Sequence, residues 1–202
     1  MNYDRLAELI KPYGVLDLGC NVGDWHNQAR LRWPHAHFML VDGNPACIER
    51  IQQTGASHRI ALLGDEEKEV TFYTEKNNPV GTGASYFLEN TQFYAPDKRE
   101  EHKMTTQRLD DLFPDDVYDL WKVDLQGAEL AAFKGGINLL SRAKWVLCEC
   151  SHVEYNQGAP MQSEVNDFLR TQGFHPQEIL GNINHPITGQ HIQSDILFSR
   201  KP

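Results

Sequence analysis

The sequence lacks the long hydrophobic runs of a membrane protein, since none approaches the ~20 apolar residues that a spanning helix requires. Positive charge is also scarce: 19 Lys and Arg stand against 28 Asp and Glu, for a net charge of −9. The nearest basic cluster, residues 98–103, is interrupted by Glu100 and Glu101. Because a negative surface repels phosphate backbones and anionic lipids, we expect neither nucleic acid nor a membrane as a partner.

Cysteine is sparse as well, with four in the chain and no Cys-x-x-Cys pair. Cys148 and Cys150 fall in one apolar run, where a strand would point both side chains to the same face. This spacing favours reduced, buried thiols over a disulfide or a metal site. The first residues carry Asp4 and no long apolar core, unlike a signal or transit peptide, so we expect a cytoplasmic protein.

The 202 residues are 40% hydrophobic and 23% charged, which is ordinary globular composition. Neither a Pro/Gly/Ser-rich linker nor an internal repeat divides the chain, so we predict a single domain over residues 1–202. Within it, apolar residues at helical spacing predict an amphipathic N-terminal helix within residues 1–12, ending before Pro12.

Short apolar runs alternate with helical patterns along most of the chain. The predicted strands are 14–18, 37–42, 59–63, 118–124 and 144–149, with a closing antiparallel pair at 177–180 and 194–199. This alternation is typical of a doubly wound α/β fold, a mostly parallel sheet of six or seven strands in three layers. Residues 69–74 predict an added strand, and the polar stretch 75–101 predicts a long loop that forms a lid or an acceptor site.

Ligands of such sheets bind beyond the carboxyl ends of the strands, where the strand order reverses. Carboxylates recur at or just after the predicted strand ends: Asp17, Asp42, Asp65, Asp124 and Glu149. Burying carboxylates without partners is costly. These carboxylates at the strand ends therefore favour a ligand that carries a cation and several hydroxyls.

The first turn, residues 17–23, has glycines at Gly19 and Gly23 and so does not match the Gly-x-Gly-x-x-Gly fingerprint of dinucleotide sites. An acid two residues before Gly19 suits an ammonium or a sulfonium better than a phosphate. Asp42 follows 25 residues after Asp17, at the end of the second predicted strand, where a carboxylate can accept hydrogen bonds from a ribose diol. The alternative role of Asp42 is to favour the dipole of the following helix.

Three segments together carry a resemblance to a known family. The turn Asp17-x-Gly19-x-Asn21-x-Gly23 is similar to the first motif of Rossmann-like S-adenosylmethionine-dependent methyltransferases, in the Asn form frequent in the FkbM family. Residues 105–112, TTQRLDDL, resemble that family's TT-x-x-LDDL segment, and residues 120–129, LWKVDLQGAE, resemble its LLKIDVEGAE segment. Two departures are Gln126 in place of a Glu and residues 42–45, DGNP, in place of a Glu-Pro pair.

The resemblance implies methyl transfer from S-adenosylmethionine to an oxygen, often a hydroxyl of a sugar or a secondary metabolite. It places the methionine end of the cofactor on the first turn, the ribose on the second strand end and the adenine on the third. The implied cofactor contacts are Asp17, Gly19, Cys20, Asn21, Gly23, Asp42, Gly43, Asn44, Leu63, Gly64, Asp65 and Asp124.

Catalysis is predicted at the fourth and fifth strand ends. Asp124 is the candidate proton acceptor or a partner of the methionine amino group, and Lys122 is placed to lower the acceptor's pKa or to neutralise Asp124. His152 is a further candidate base. The acceptor is expected to meet Ser85, Tyr86 and Glu149. A non-catalytic cofactor-binding module stays open as an alternative, whereas the first turn counts against an NAD-dependent oxidoreductase.

Overall fold

A computed structural model describes residues 1–184 and 188–200; residues 185–187 and 201–202 of the predicted domain lie outside this description. The described residues form the strands β1 Gly14–Leu18, β2 His37–Asp42, β3 Ser57–Ile60, β4 Glu69–Glu75, β5 Arg99–Thr105, β6 Leu120–Val123, β7 Trp145–Ser151, β8 Phe174–Asn184 and β9 His191–Arg200. The α-helices are α1 Tyr3–Leu9, α2 Asp24–Arg32, α3 Ile48–Gln53, α4 Leu109–Leu112, α5 Glu129–Gly135, α6 Ile137–Leu140 and α7 Gln162–Thr171.

Seven strands form one sheet in the spatial order β3-β2-β1-β6-β7-β9-β8. The first five strands of this order run parallel, and β9 pairs antiparallel with both β7 and β8. The predicted doubly wound fold is therefore confirmed. Because β1 lies between β2 and β6, the strand order reverses at β1, and a crevice is expected at its carboxyl end.

Helices cover both faces of the sheet. On one face, α1 and α2 pack Leu6 and Trp25 against Val15 and Leu147. On the opposite face, α4 to α7 surround Trp121 in the largest cluster of buried side chains. The alternation of residues along each strand sets this division, since neighbouring side chains point to opposite faces. Among the described residues, no helix has the length and the apolar character needed to cross a membrane.

Local features of the sequence explain where these elements begin and end. Asn44 caps the turn of 3-10 helix at Pro45–Cys47, and its side chain accepts a hydrogen bond from the N–H of Ala46. Gly136 separates α5 from α6. All four cysteines are buried free thiols, and Cys148 and Cys150 lie in the same core cluster.

Two predictions require correction. The third strand ends at Ile60, not at residue 63, because residues 61–63 leave the sheet and Leu63 instead forms an isolated bridge with Gln107. The predicted loop 75–101 is shorter, since Arg99–Thr105 forms β5. β4 and β5 make a separate two-stranded sheet, whose exposed face explains the charged residues that had suggested a loop.

Candidate functional site

A cleft lies at the predicted crevice, where the carboxyl ends of β1, β2 and β6 meet. Its walls are formed by Gly19, Asn21, Asp42, Gly43, Asn44, Ala61, Leu62, Leu63, Phe72, Gly81, Thr82, Ala84, Ser85, Tyr86, Asp124, Leu125, Gln126 and Ala128. The sequence thus predicts its position and about half of its lining.

The turn after β1 forms one wall and depends on residues with positive φ. Gly19 has φ 77°, and a Cβ atom there would overlap the carbonyl group of Asp124. Glycine therefore allows the backbone of the turn to lie directly against the end of β6. Asn21 has φ 47°, a conformation that asparagine tolerates better than most residues.

Asp42 is the carboxylate at the end of β2, and two backbone N–H groups fix its orientation. Oδ2 accepts from the N–H of Asn21 at 2.7 Å, and Oδ1 accepts from the N–H of Asn44 at 2.8 Å. Burial raises the pKa of Asp42, although these two hydrogen bonds lower it in part. Each carboxylate oxygen keeps a further lone pair, so the side chain can still accept from a pair of hydroxyls.

Residues 79–86, the covering segment, close the cleft over this carboxylate. Asn21 donates from Nδ2 to the carbonyl of Val80 at 2.9 Å, and Asn44 donates from Nδ2 to the carbonyl of Pro79 at 2.6 Å. The two asparagine side chains predicted to contact the cofactor are therefore occupied in holding the covering segment. They would act on a bound ligand by keeping the cleft closed.

Replacement of Asn21 by glycine should accelerate ligand release. Glycine preserves the positive φ and the N–H that binds Asp42. It removes the hydrogen bond from the side chain to the carbonyl of Val80, together with a weaker contact to Cys47 Sγ at 3.7 Å. The loss of one hydrogen bond, ~0.5–1.5 kcal/mol, corresponds to a dissociation constant for S-adenosylhomocysteine raised about 2- to 12-fold. Stopped-flow fluorescence should assign most of this change to the dissociation rate.

The matched control is Asn90→Ala, because Asn90 makes the same kind of link, from Nδ2 to the carbonyl of Glu154 at 2.9 Å, but lies outside the cleft lining. Unchanged release from the Asn21→Gly variant, or equal acceleration in both variants, would contradict the role of the covering segment.

A buried charge cluster lies beside the cleft, on the face covered by α1 and α2. Lys122 Nζ is 3.2 Å from Asp124 Oδ2 and 3.7 Å from Asp17 Oδ1. Both oxygens of Asp17 are buried without a hydrogen bond, and burial raises its pKa to about 6 against the opposing charge of Lys122. Burial lowers the pKa of Lys122, but the two carboxylates outweigh it and hold that pKa above its ordinary value.

Glutamine side chains extend this cluster to β7 and β9. Gln126 donates from Nε2 to Asp124 Oδ1 at 2.8 Å and to Glu149 Oε2 at 3.1 Å. Gln193, on β9, donates to the same oxygen of Glu149 at 2.8 Å. A continuous set of polar contacts therefore leads from the wall of the cleft, at Asp124 and Gln126, to Glu149.

Several other predicted cofactor residues lie outside the cleft lining. Asp17 is buried against Lys122, Cys20 packs in the core beside Leu40, and Gly23 begins α2. Gly64 packs against Thr106, and the side chain of Asp65 is 40% exposed beside Lys68. Gly64 and Asp65 miss the cleft because β3 ends at Ile60, three residues before the predicted end. Ala61 and Leu62 therefore line the cleft in their place.

Some of the residues predicted to bind the acceptor or to act as the base line the cleft, and others do not. Ser85 and Tyr86 line the cleft, although the hydroxyl of Ser85 also contacts the carbonyl of Leu125 at 3.4 Å. His152 contacts Ser194 Oγ at 2.9 Å and stacks 4.1 Å from His191, so the structure does not bring it to Lys122 and Asp124. Sequence reasoning missed Phe72, a lining residue whose strand had been expected only as an addition to the sheet, and Gln193.

Residues 17–176 match the family model of the FkbM methyltransferase domain. Precorrin-6y C5,15-methyltransferase from Geobacter metallireducens GS-15 is similar in structure, with a TM-score of 0.51 at 9% identity over 95% of this chain and 82% of that one. An O-methyltransferase family protein from Burkholderia thailandensis gives a TM-score of 0.53 at 12% identity, over 98% of this chain and 55% of that one. No curated protein matches the sequence.

At these low identities the two structures support the fold alone, while the family match spans the first turn, Asp42, Asp124 and Glu149. The match to this family confirms the predicted cofactor, S-adenosylmethionine. The cleft suits it because Asp42 offers oriented acceptors for a diol. The roles of individual residues remain predictions.

Proposed function

Because the chain belongs to the FkbM methyltransferase family, we propose that it is an O-methyltransferase acting on a hydroxyl of a neutral sugar, glycan or small secondary metabolite. The observation that carries this proposal is the charge of the cleft. Its described lining includes the carboxylates of Asp42 and Asp124 and neither lysine nor arginine. Such a wall accepts hydrogen bonds from hydroxyls and disfavours an acceptor that carries a phosphate.

The residues divide between the two ligands. S-adenosylmethionine supplies a methyl group on a positively charged sulfur, which a wall with two carboxylates favours. Asp42 would accept from the ribose hydroxyls, while the apolar side chains of Leu62, Leu63 and Phe72 offer a surface for the adenine ring. Asp124 and Gln126 form the wall that leads to Glu149, and we place the acceptor there.

Alignment of the acceptor hydroxyl with the methyl group is expected to supply most of the rate enhancement. Holding two reactants in line contributes up to ~7–11 kcal/mol, and a proton acceptor adds a factor of ~10²–10⁴. The covering segment, fixed to Asn21 and Asn44, would exclude water from the aligned pair. A small or terminal acceptor suits a cleft that lies under the covering segment, and the net charge of −9 disfavours nucleic acid.

The test is a calorimetric titration followed by a turnover assay. The protein should bind S-adenosylmethionine and S-adenosylhomocysteine but not NAD. It should then release S-adenosylhomocysteine with methyl glycosides or neutral oligosaccharides, and not with the corresponding sugar phosphates. Matched pairs of a sugar and its amino sugar separate oxygen from nitrogen as the acceptor atom.

Faster turnover of the amino sugars or the phosphates would contradict the proposal. Binding of the cofactor without turnover of any neutral hydroxyl probe would favour the non-catalytic module instead.

A further inference from the structure

The proposed reaction requires a group that takes the hydroxyl proton, and Asp124 is poorly suited to that task. Both of its oxygens are engaged: Oδ2 with Lys122 at 3.2 Å and Oδ1 with Gln126 at 2.8 Å. These two contacts leave less of the carboxylate free to accept from a substrate hydroxyl. Asp124 is better suited to fixing Lys122 and Gln126 than to receiving a proton.

Glu149 differs from Asp124 in one respect that decides its role. Its Oε2 accepts from the amides of Gln126 and Gln193, at 3.1 and 2.8 Å, whereas the described residues provide no hydrogen bond to Oε1. Two amides orient the carboxylate but cannot exchange a proton with it. Glu149 is partly exposed, so the second oxygen is available to a ligand.

The position of Glu149 in the sheet also fits an acceptor site. Glu149 lies on β7, which is paired with β6 so that Val123 is opposite Cys148. Asp124 and Glu149 each follow these paired residues directly in the sequence, so they lie beside each other. On its other side, Glu149 is paired with Asp195 of β9. A substrate oxygen held at Oε1 would therefore lie at the carboxyl edge of the sheet, beside the wall of the cofactor cleft.

We propose that Glu149 is the proton acceptor of the methyl transfer and that Gln126 and Gln193 are its positioning residues, an inference that rests on the proposed function. The hydroxyl proton moves to Oε1, and a lone pair of the acceptor oxygen forms the bond to the methyl carbon. The carbon–sulfur bond breaks with its electron pair left on sulfur, and Glu149 later releases the proton to solvent.

The electrostatics of the site agree with this geometry. Burial raises the pKa of Glu149 well above its ordinary value. The carboxylates of Asp124, Asp195 and Glu129 raise it further, and Lys122 opposes them. A base with a raised pKa receives a proton more readily at neutral pH than an ordinary glutamate does.

Replacement of Glu149 by glutamine should lower kcat about 10²- to 10⁴-fold on the neutral hydroxyl probe that the wild type methylates best. Glutamine keeps the size of the side chain and an oxygen that accepts from Gln126 and Gln193. The dissociation constant of S-adenosylhomocysteine should therefore remain within twofold of the wild-type value. The matched control is Glu178→Gln, since Glu178 is bound to Arg5 on the surface and should leave kcat unchanged.

Two further measurements do not depend on the size of the rate loss. Carboxyl ¹³C NMR of the ligand-free protein, compared with the Glu149→Gln spectrum, should show Glu149 titrating at higher pH than an ordinary glutamate. The variant Gln193→Leu removes a hydrogen bond that favours the carboxylate, so the rising limb of its pH–rate profile should move to higher pH.

The outcomes separate the two proposals. A Glu149→Gln variant that turns over within threefold of the wild type, or a Glu149 carboxyl that titrates in the range of an ordinary glutamate, overturns this inference and leaves the proposed function intact. A wild-type protein that binds the cofactor and methylates no neutral hydroxyl probe overturns the proposed function, and this inference fails with it.

Discussion

Replacement of Lys122 by methionine is expected to lower the free energy of unfolding by ~3–5 kcal/mol at pH 8, the cost typical of leaving one member of a buried ion pair unpaired. Lys122 lies 3.7 Å from Asp17, whose carboxylate is fully buried and has no hydrogen bond among the described residues. Methionine fills a similar volume without the charge. The variant therefore isolates the electrostatic role of Lys122, and urea denaturation measures it.

The loss of unfolding free energy in the Lys122→Met variant should depend on pH in a defined direction. Burial raises the pKa of Asp17 from 3.8 to about 6 in the folded chain even with Lys122 present. An acid with a raised pKa in the folded state binds more protons when folded, so stability falls as pH rises through that interval. Without Lys122 the pKa of Asp17 moves higher, and the deficit relative to wild type should grow between pH 6 and pH 8.

Two variants control this experiment. Lys144→Met removes an ion pair with Asp119 whose lysine is 65% exposed, and exposed pairs contribute only ~0–1 kcal/mol. The double variant Lys122→Met with Asp17→Asn removes the buried charge and should recover part of the loss and most of the added pH dependence. A deficit equal to that of Lys144→Met, or one that shrinks with rising pH, would contradict the assigned role of Lys122.

The sequence suggested contact between Lys122 and Asp124 as one alternative, but it did not predict that Asp17 joins them. Alternation within β1 and β6 places Asp17 and Lys122 on the same face, and that period was visible in the sequence. Their register, with Asp17 beside Lys122, depends on which strands are neighbours. Because β1 and β6 are about a hundred residues apart, local patterns cannot supply that contact.

The limits of prediction are clear at the third strand and in the middle of the chain. The apolar run through residues 61–63 reads as strand, yet those residues leave the sheet and line the cleft or bridge to Gln107. An apolar wall and a buried strand require the same residue types, so composition cannot separate them. The contact between Gln193 and Glu149 likewise depends on β9 entering the sheet beside β7.

Asp42 illustrates the opposite case, since the sequence predicted its position at the end of β2, in the wall of the cleft. Its role as the ribose acceptor stays a prediction. Replacement of Asp42 by alanine should weaken S-adenosylhomocysteine binding by ~1–3 kcal/mol, the cost of lost charge-assisted hydrogen bonds to a diol. This corresponds to a dissociation constant raised about 5- to 150-fold, measured by calorimetry. The comparison variant Asp65→Ala should bind normally because Asp65 lies outside the cleft lining.

A thermodynamic cycle distinguishes loss of the diol contact from damage to the turn. Alanine also removes the acceptor of the N–H groups of Asn21 and Asn44, so the turn could loosen and weaken every ligand. Adenosine and 2′,3′-dideoxyadenosine differ only in the diol. If Asp42 binds the ribose, removal of the two hydroxyls should weaken binding to the wild type and have little effect on the Asp42→Ala variant. An equal penalty in both proteins would show that Asp42 supports the turn and that the diol is recognised elsewhere.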